Sequence, residues 1–263
     1  MRQRRSGAIR QPFARLTRCE SGLQGRQYNG KTVNPRRLAP FALSLLLGLA
    51  TGCGQPQTGA PAGEPRAADP PSVPKPAARP RVVALGDSLT AGYGLDRSEA
   101  YPALLPQRID AAGYGFEVVN AGVSGDTTAG GLSRLEWSLE GDVRVLMVAL
   151  GGNDGLRGLP PDEMKRNLEE IVTRARSRGI AVLLVGMESP TNMGPDYQRR
   201  FRDVFPAVAR ERRVAFLPFL LDGVAGRSEL NQRDGIHPTA EGARRIADHV
   251  WPALEPLLRT ASR

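Results

Sequence analysis

The sequence contains very little cysteine or histidine, with two residues of each among 263. Both cysteines, Cys19 and Cys53, precede the part of the chain that has the pattern of a folded domain. That part therefore has no means of forming a disulfide or a thiolate metal site. The two histidines are His237 and His249, so any chemistry that needs an imidazole is confined to two positions.

The sequence also lacks a long apolar run. The run over residues 38–50 is too short to span a bilayer, which needs about 20 residues, but it suits the core of a signal peptide. It follows Arg36-Arg37 and ends at Thr51-Gly52-Cys53, which resembles a bacterial lipobox with Ala50 where leucine is more usual. We expect export to the periplasm with a lipid anchor on Cys53 in the outer membrane. The alternative is a signal peptide cut near the same place, which would leave a soluble periplasmic or secreted protein.

The net positive charge is confined to the start of the chain. The net charge of +9 arises within residues 1–40, which hold ten Lys and Arg and one acid, Glu20, and the rest of the chain carries 26 residues of each sign. A nucleic-acid-binding protein needs its positive charge on the folded domain. The composition therefore predicts no nucleic-acid partner.

The chain divides into three parts. Residues 1–53 form a leader with the signal peptide, and residues 54–80 contain eight prolines and almost no large apolar side chains. A segment of this composition cannot bury a core, and it predicts a disordered tether. The folded domain is expected over residues 81–260.

The folded domain alternates short apolar runs with longer amphipathic segments. Runs rich in Val, Leu and Ile are typical of parallel strands that are covered on both faces. We expect strands over residues 82–85, 117–121, 143–150, 180–185 and 214–217, and helices over residues 100–112, 161–178 and 239–258. This alternation predicts a doubly wound α/β sandwich, in which sites gather beyond the carboxyl ends of the strands.

Glycine-containing turns with polar side chains follow the first three strands. The first turn holds Gly86-Asp87-Ser88, the second holds Gly125 and the third holds Gly151-Gly152-Asn153. Each turn alone is compatible with an ordinary structural role, since Ser88 could cap the next helix and Gly, Asn and Asp are common turn residues. Taken alone, none of the three identifies an active site.

His237 lies in a loop directly before the last predicted helix, three residues after Asp234. A carboxylate at this spacing can reach one ring nitrogen, fix the tautomer and favour the imidazolium that forms when the other nitrogen takes a serine proton. His249 lies within the last helix beside its apolar stripe, and we interpret it as a structural residue. The serine turn and the Asp-His loop together indicate a serine hydrolase.

These segments resemble the four blocks of the SGNH (GDSL) hydrolases, over residues 86–94, 124–128, 151–158 and 234–238. They are similar in particular to the bacterial group of arylesterases, acyl-CoA thioesterase I and lysophospholipases. The resemblance covers nearly all of residues 81–258. It implies a flavodoxin-like three-layer α/β/α sandwich with a parallel five-stranded sheet, and hydrolysis of carboxylic esters or thioesters without a metal or cofactor.

The resemblance also assigns roles to individual residues. Ser88 is expected to be the nucleophile, His237 the general base and Asp234 the residue that orients it. The oxyanion donors would be the backbone N–H of Ser88, the backbone N–H of Gly125 and the side chain of Asn153. The predicted substrate-binding residues are Asp154, Gly155, Leu156 and Pro190.

Other functions could use the same residues. A non-catalytic lipid-binding lipoprotein would keep the triad unused, and an acyltransferase would use Ser88 while excluding water. We expect a small-molecule or lipid ester as substrate, but the same triad serves esters, thioesters and lysophospholipids alike. We interpret Asp87 and Asp154 as residues that tie loops by hydrogen bonds, because the triad already supplies the proton transfers.

Overall fold

The computed structural model of the chain describes residues 78–263. The leader, Cys53 and the tether up to residue 77 lie outside the described residues, so the interpretations of those segments stay predictions. Within residues 78–263, none of the helices combines the length and the apolar character needed to cross a bilayer.

The centre of the domain is a sheet of five parallel strands. The strands are β1 (Arg81–Gly86), β2 (Glu117–Gly122), β3 (Val143–Ala149), β4 (Ala181–Val185) and β5 (Ala215–Leu217), in the spatial order β2-β1-β3-β4-β5. Every predicted strand is present, with its ends within one residue of the expected positions. This is the order of flavodoxin-like folds, and the predicted fold class is confirmed.

Eight α-helices connect and cover the described strands. They are α1 (Ser88–Ala91), α2 (Tyr101–Ala111), α3 (Thr128–Ser133), α4 (Leu135–Ser138), α5 (Gly152–Leu156), α6 (Pro161–Ser177), α7 (Pro195–Arg212) and α8 (Ala240–Ala261). Helices α2 and α8 pack together as one layer, and α3, α6 and α7 form the other. The three predicted helices correspond to α2, α6 and α8.

Helix α7 was not predicted. No helix was expected between residues 178 and 239, although Pro195 begins an 18-residue helix. Proline suits the first position of a helix because its fixed φ angle matches the helix and its missing N–H would have no partner there. Residues Phe201, Val204, Phe205 and Val208 bury the inner face of α7 against the core.

The core lies on both faces of the sheet. Side chains of the central strands, such as Leu85, Leu146 and Leu183, are fully buried. Each such side chain stabilises the fold by roughly 1.5–3 kcal/mol relative to an exposed one. The well-packed strands hold their carboxyl ends at fixed positions along one edge of the sheet.

The carboxyl ends of β1, β2 and β3 are aligned in register. Gly86 pairs with Gly122 on one side and with Ala149 on the other. The chain crosses from one face of the sheet to the other between β1 and β3, which is the switch point at which doubly wound folds carry their sites. The turns after these three strands therefore meet in one place.

Gly122 at the end of β2 allows α1 to lie close to the sheet. A Cβ atom added to Gly122 would lie 2.2 Å from Ala91 N and 2.7 Å from the carbonyl carbon of Thr90. Gly122→Ala is therefore expected to lower the free energy of unfolding by about 1–3 kcal/mol through overpacking. Urea denaturation of both proteins measures the change.

Gly115, just before the same strand, provides the matched control. It is exposed, and an added Cβ would meet nothing within 4 Å. Gly115→Ala is expected to change the free energy of unfolding by less than about 0.5 kcal/mol. Equal stability of the two variants would contradict the close approach of α1 to β2.

Candidate active site

Ser88 is the first residue of α1, directly after β1. The cap of this helix is Asp87, whose Oδ1 accepts a hydrogen bond from Leu89 N–H at 3.0 Å. Ser88 is therefore not the capping residue, which was the alternative role considered for it. Gly86 is required before this turn, because an added Cβ would lie 2.0 Å from Thr90 Oγ1.

The loop before α8 brings His237 against Ser88. His237 Nε2 lies 2.9 Å from Ser88 Oγ, and His237 Nδ1 lies 2.6 Å from Asp234 Oδ2. Both distances fall in the range expected for a nucleophile, a base and the group that orients the base. The structure thus brings together the three residues that the sequence singled out for the triad.

Asp234 is held as a carboxylate. Its Oδ1 accepts hydrogen bonds from the backbone N–H groups of Ile236 at 2.9 Å and His237 at 3.0 Å. The hydrogen bond with the His237 ring, followed by these two backbone bonds, lowers the pKa of Asp234 from 3.8 to about 2. An ionised Asp234 keeps the proton on His237 Nδ1 and leaves Nε2 free to accept one from Ser88.

A short antiparallel contact fixes the His237 loop in place. Asn231 and Pro238 form an isolated β-bridge, and Gln232 N–H donates to the His237 carbonyl at 2.7 Å. Thr239 then caps α8 by accepting a hydrogen bond from Gly242 N–H. The loop position is therefore set by the packing of α8 against the rest of the domain.

The three predicted oxyanion donors line the same cleft as Ser88 Oγ. The backbone N–H groups of Ser88 and Gly125 have no acceptor among residues 78–263. Gly125 has a φ angle of +84°, a left-handed conformation that glycine adopts readily. Asn153 Nδ2 donates to Asp87 Oδ2 at 3.3 Å, and this hydrogen bond fixes the orientation of the Asn153 side-chain amide.

Asp87 is a buried residue in the wall of the cleft. Its burial raises the pKa from 3.8 to about 6, while the hydrogen bonds from Leu89 N–H and the Asn153 amide and the nearby His237 act in the opposite direction. The pKa values of two carboxyl groups near one histidine are thus shifted in opposite directions, upward for Asp87 and downward for Asp234. Asp87 ties two loops together, as the sequence analysis proposed.

Two of the predicted substrate-binding residues, Asp154 and Gly155, do not line the cleft. Asp154 is buried, its two oxygens accept hydrogen bonds from the Thr128 N–H and hydroxyl at 2.9 and 2.6 Å, and burial raises its pKa. Gly155 packs against Phe201. The helical geometry of α5 turns both residues away from the cleft, so Asp154 ties loops and Gly155 allows close packing.

The other two predicted substrate-binding residues, Leu156 and Pro190, do line the cleft, which has a volume of about 770 Å³. Sequence reasoning missed several of its walls. The unforeseen lining residues include Tyr93, Phe219, Leu221 and Ala225. Phe219 follows the end of β5, so the rule that sites gather after strand ends could have found it.

His249 lies apart from this chemistry. Its Nε2 is 2.9 Å from the carbonyl oxygen of Phe219, and the side chain is not among those that line the cleft. This contact joins α8 to the segment after β5. It is the kind of structural contact proposed for His249 from the sequence.

Comparison with known proteins gives consistent matches over the described domain. Residues 84–245 match the GDSL-like Lipase/Acylhydrolase family. Esterase TesA of Pseudomonas aeruginosa is 45% identical over 183 residues, which cover 69% of this chain and 91% of that protein. Thioesterase 1/protease 1/lysophospholipase L1 of Escherichia coli K12 is 38% identical over 183 residues, covering 69% of this chain and 86% of that protein. A crystal structure of TesA, 44% identical, covers 67% of this chain and 99% of its own, with a TM-score of 0.65.

The raised pKa of Asp87 predicts a pH dependence of stability. Because the folded-state pKa is about 6 against 3.8 ordinarily, the native state binds this proton more tightly than the unfolded chain. The contribution of Asp87 protonation to the free energy of unfolding is largest below about pH 4. It is lost as the pH rises through about 6, a decrease on the order of 2–3 kcal/mol. Asp87→Asn cannot ionise, so the stability difference between wild type and variant is expected to change across this window in urea denaturation.

Glu241→Gln provides a control of opposite sign. The hydrogen bond from Arg244 lowers the pKa of the Glu241 carboxyl, so its contribution is present above the ordinary value of 4.5 and is lost only as the pH falls below that value. Its hydrogen-bond partners, Arg244 and Arg245, keep their charge throughout, so the stability difference from wild type is expected to stay constant between about pH 5 and 7. A constant difference for Asp87→Asn as well would refute the burial effect on Asp87.

Proposed function

The chain belongs to the GDSL-like lipase/acylhydrolase family, and on this premise we propose that Ser88, His237 and Asp234 hydrolyse carboxylic esters through an acyl-enzyme. The observation that carries the proposal is the pair of hydrogen bonds on His237, at 2.9 Å to Ser88 Oγ and 2.6 Å to Asp234 Oδ2. Such a pair couples a hydroxyl to a base whose tautomer is fixed.

In the acylation step, Ser88 Oγ attacks the ester carbonyl carbon while its proton moves to His237 Nε2. The carbonyl oxygen becomes an oxyanion, and the imidazolium is stabilised by the Asp234 carboxylate. Collapse of the tetrahedral intermediate breaks the bond to the alcohol, which takes the proton from Nε2 and leaves. The acyl group then remains on Ser88.

In the deacylation step, water attacks the acyl carbon and gives its proton to His237 Nε2. The second tetrahedral intermediate collapses, Ser88 Oγ recovers the proton, and the carboxylic acid leaves. His237 thus acts as base and then as acid in each half of the reaction, and no metal or cofactor is required.

We assign the stabilisation of the oxyanion to three hydrogen-bond donors, which are the Ser88 N–H, the Gly125 N–H and the Asn153 side chain. The support is that all three groups line the cleft beside Ser88 Oγ and that the two backbone donors have no acceptor among the described residues. Donors that are already oriented stabilise the developing charge without reorganising during the reaction. Asp87 contributes indirectly because its carboxylate accepts a hydrogen bond from Asn153.

The proposed substrate class is an ester or thioester with an apolar acyl group. Leu156, Met187, Phe219 and Leu221 supply apolar walls to the cleft. The relatives carry names that include esterase, arylesterase, thioesterase and lysophospholipase. These names and the same set of catalytic groups fit carboxylic esters, thioesters and lysophospholipids alike.

Two variants test the assignment directly. Ser88→Ala is expected to abolish both p-nitrophenyl ester hydrolysis and covalent labelling by a fluorophosphonate, because it removes the attacking oxygen. Asn153→Ala is expected to reduce turnover by about 10²–10³ while labelling at Ser88 persists at a lower rate. Initial rates and intact-protein mass spectrometry measure the two effects.

Ser133→Ala is the matched control, since Ser133 is exposed on α3 and donates to the Gly130 carbonyl. It should label and hydrolyse like wild type. Labelling of wild type without release of acid to water would favour the acyltransferase alternative. Absence of labelling in wild type would favour a non-catalytic lipid-binding protein.

We also propose that the protein is exported and carries a lipid on Cys53, which would hold it at the periplasmic side of the outer membrane. The support is the apolar run over residues 38–50 followed by Thr51-Gly52-Cys53. A single acyl chain binds a membrane only marginally, so stable attachment requires more than one chain. The division into a leader up to residue 53, a linker over 54–80 and a hydrolase domain over 81–260 belongs to the same proposal.

Cys53→Ser tests the anchor. The full chain is expressed in a Gram-negative host with an alkyne fatty acid, and membrane and soluble fractions are compared. Wild type should take up the label and sediment with membranes, whereas Cys53→Ser should do neither. An unlabelled, soluble wild type would support the soluble-export alternative and overturn the anchor.

A further inference from the structure

The Tyr93 ring lies over the imidazole of His237. The two ring centroids are 4.6 Å apart, with an angle of 39° between the ring planes. Tyr93 is one of the few exposed large apolar residues of the described domain, at 55% exposure, whereas the His237 side chain is only 17% exposed. An aromatic ring that stays exposed while covering a histidine has a role other than filling the core.

Backbone contacts fix Tyr93 relative to both loops of the site. Tyr93 N–H donates to the Ser88 carbonyl at 3.0 Å. Gln232 Nε2 donates to the Tyr93 carbonyl at 2.7 Å and to the Pro238 carbonyl at 2.9 Å, while Gln232 N–H donates to the His237 carbonyl at 2.7 Å. Tyr93 is thus tied to the serine turn and to the histidine loop at once.

Gly94 makes this arrangement possible. Its φ angle is +78°, and an added Cβ would lie 2.3 Å from Gln232 Oε1. The left-handed turn at Gly94 therefore brings the Gln232 side chain close under the loop that carries Tyr93. The tilted arrangement of the Tyr93 and His237 rings is therefore supported by the backbone on both sides and does not depend on the Tyr93 side chain alone.

We propose that Tyr93 is a positioning residue that stabilises the protonated form of His237 and holds the plane of its ring. The face of an aromatic ring carries partial negative charge and attracts a cation within about 6 Å of its centroid. The proposed mechanism forms an imidazolium at His237 in every proton transfer. The inference rests on that proposed triad, and it concerns the energy of the imidazolium.

Other groups face His237 besides Tyr93. Asp234 accepts at Nδ1, Ser88 Oγ lies at Nε2, and the buried Asp87 interacts with the ring electrostatically. Both carboxyl groups are unchanged when only Tyr93 is replaced. A difference between Tyr93 variants therefore isolates the contribution of the aromatic face.

The test compares Tyr93→Leu, which removes the aromatic face, with Tyr93→Phe, which keeps it. The full chain has only two histidines, so the ring proton signals of His237 and His249 can be followed separately by NMR. In Tyr93→Leu the titration midpoint of His237 is expected to fall by about 0.4–0.7 pH unit, because the imidazolium loses a favourable contact. His249, which contacts Phe219, is the internal control and should titrate as in wild type.

Kinetics provide a second readout. In Tyr93→Leu the acid limb of kcat/KM for a small p-nitrophenyl ester should move to lower pH by the same amount, and kcat should fall about threefold with little change in KM. Tyr93→Phe should restore both the acid limb and most of kcat. A loosened loop would lower kcat without moving the acid limb.

Two results would overturn the proposal. One is a His237 midpoint that is the same in wild type and Tyr93→Leu, and the other is an equal shift of both histidines. Failure of the triad itself gives a different pattern, namely no ester turnover and no fluorophosphonate labelling in wild type. The NMR titration then still reports the contact between Tyr93 and His237, so the two failures can be told apart.

Discussion

Ser88 Oγ and His237 Nε2 lie 2.9 Å apart although 149 positions separate the two residues in the chain. Neither the turn after β1 nor the loop before α8 can hold this distance by itself. The turn is fixed by the cap at Asp87 and by the close approach of α1 to Gly122. The loop is fixed by the Asn231–Pro238 bridge and by α8, which packs on α2 and on the sheet. The site therefore depends on the packing of the whole domain.

The same packing gives two carboxyl groups near His237 opposite properties. Asp234 stands at the surface, where three hydrogen bonds keep it ionised, while Asp87 is buried and its pKa rises to about 6. Environments that push the pKa values of neighbouring groups apart allow one site to contain groups in different protonation states. In the proposed reaction, the Asp234 carboxylate stabilises the positive charge that forms on His237, and Asp87 orients the amide of Asn153 through a hydrogen bond.

Local sequence patterns predicted the sheet and the residues around Ser88 and His237, because apolar runs define the strands and turn residues follow them directly. The same patterns predicted only some of the residues that line the cleft, Leu156 and Pro190 among them. Asp154 and Gly155 lie on the far side of α5, and this depends on how the short helix is turned against Thr128 and Phe201. Tyr93 was part of a recognised motif, but its position over His237 arises from contacts through Gln232, which no local pattern encodes.

The direction of β1 and α8 has a practical consequence. β1 starts at Arg81, at the amino ends of the strands, whereas Ser88 follows its carboxyl end. Helix α8 begins beside His237 and extends away from it over 22 residues, roughly 33 Å. Both ends of the described domain thus lie remote from the opening of the cleft. A fusion partner or a solid support attached at either end would leave the entrance unobstructed, which makes the domain suited to immobilisation with its catalytic face turned outward.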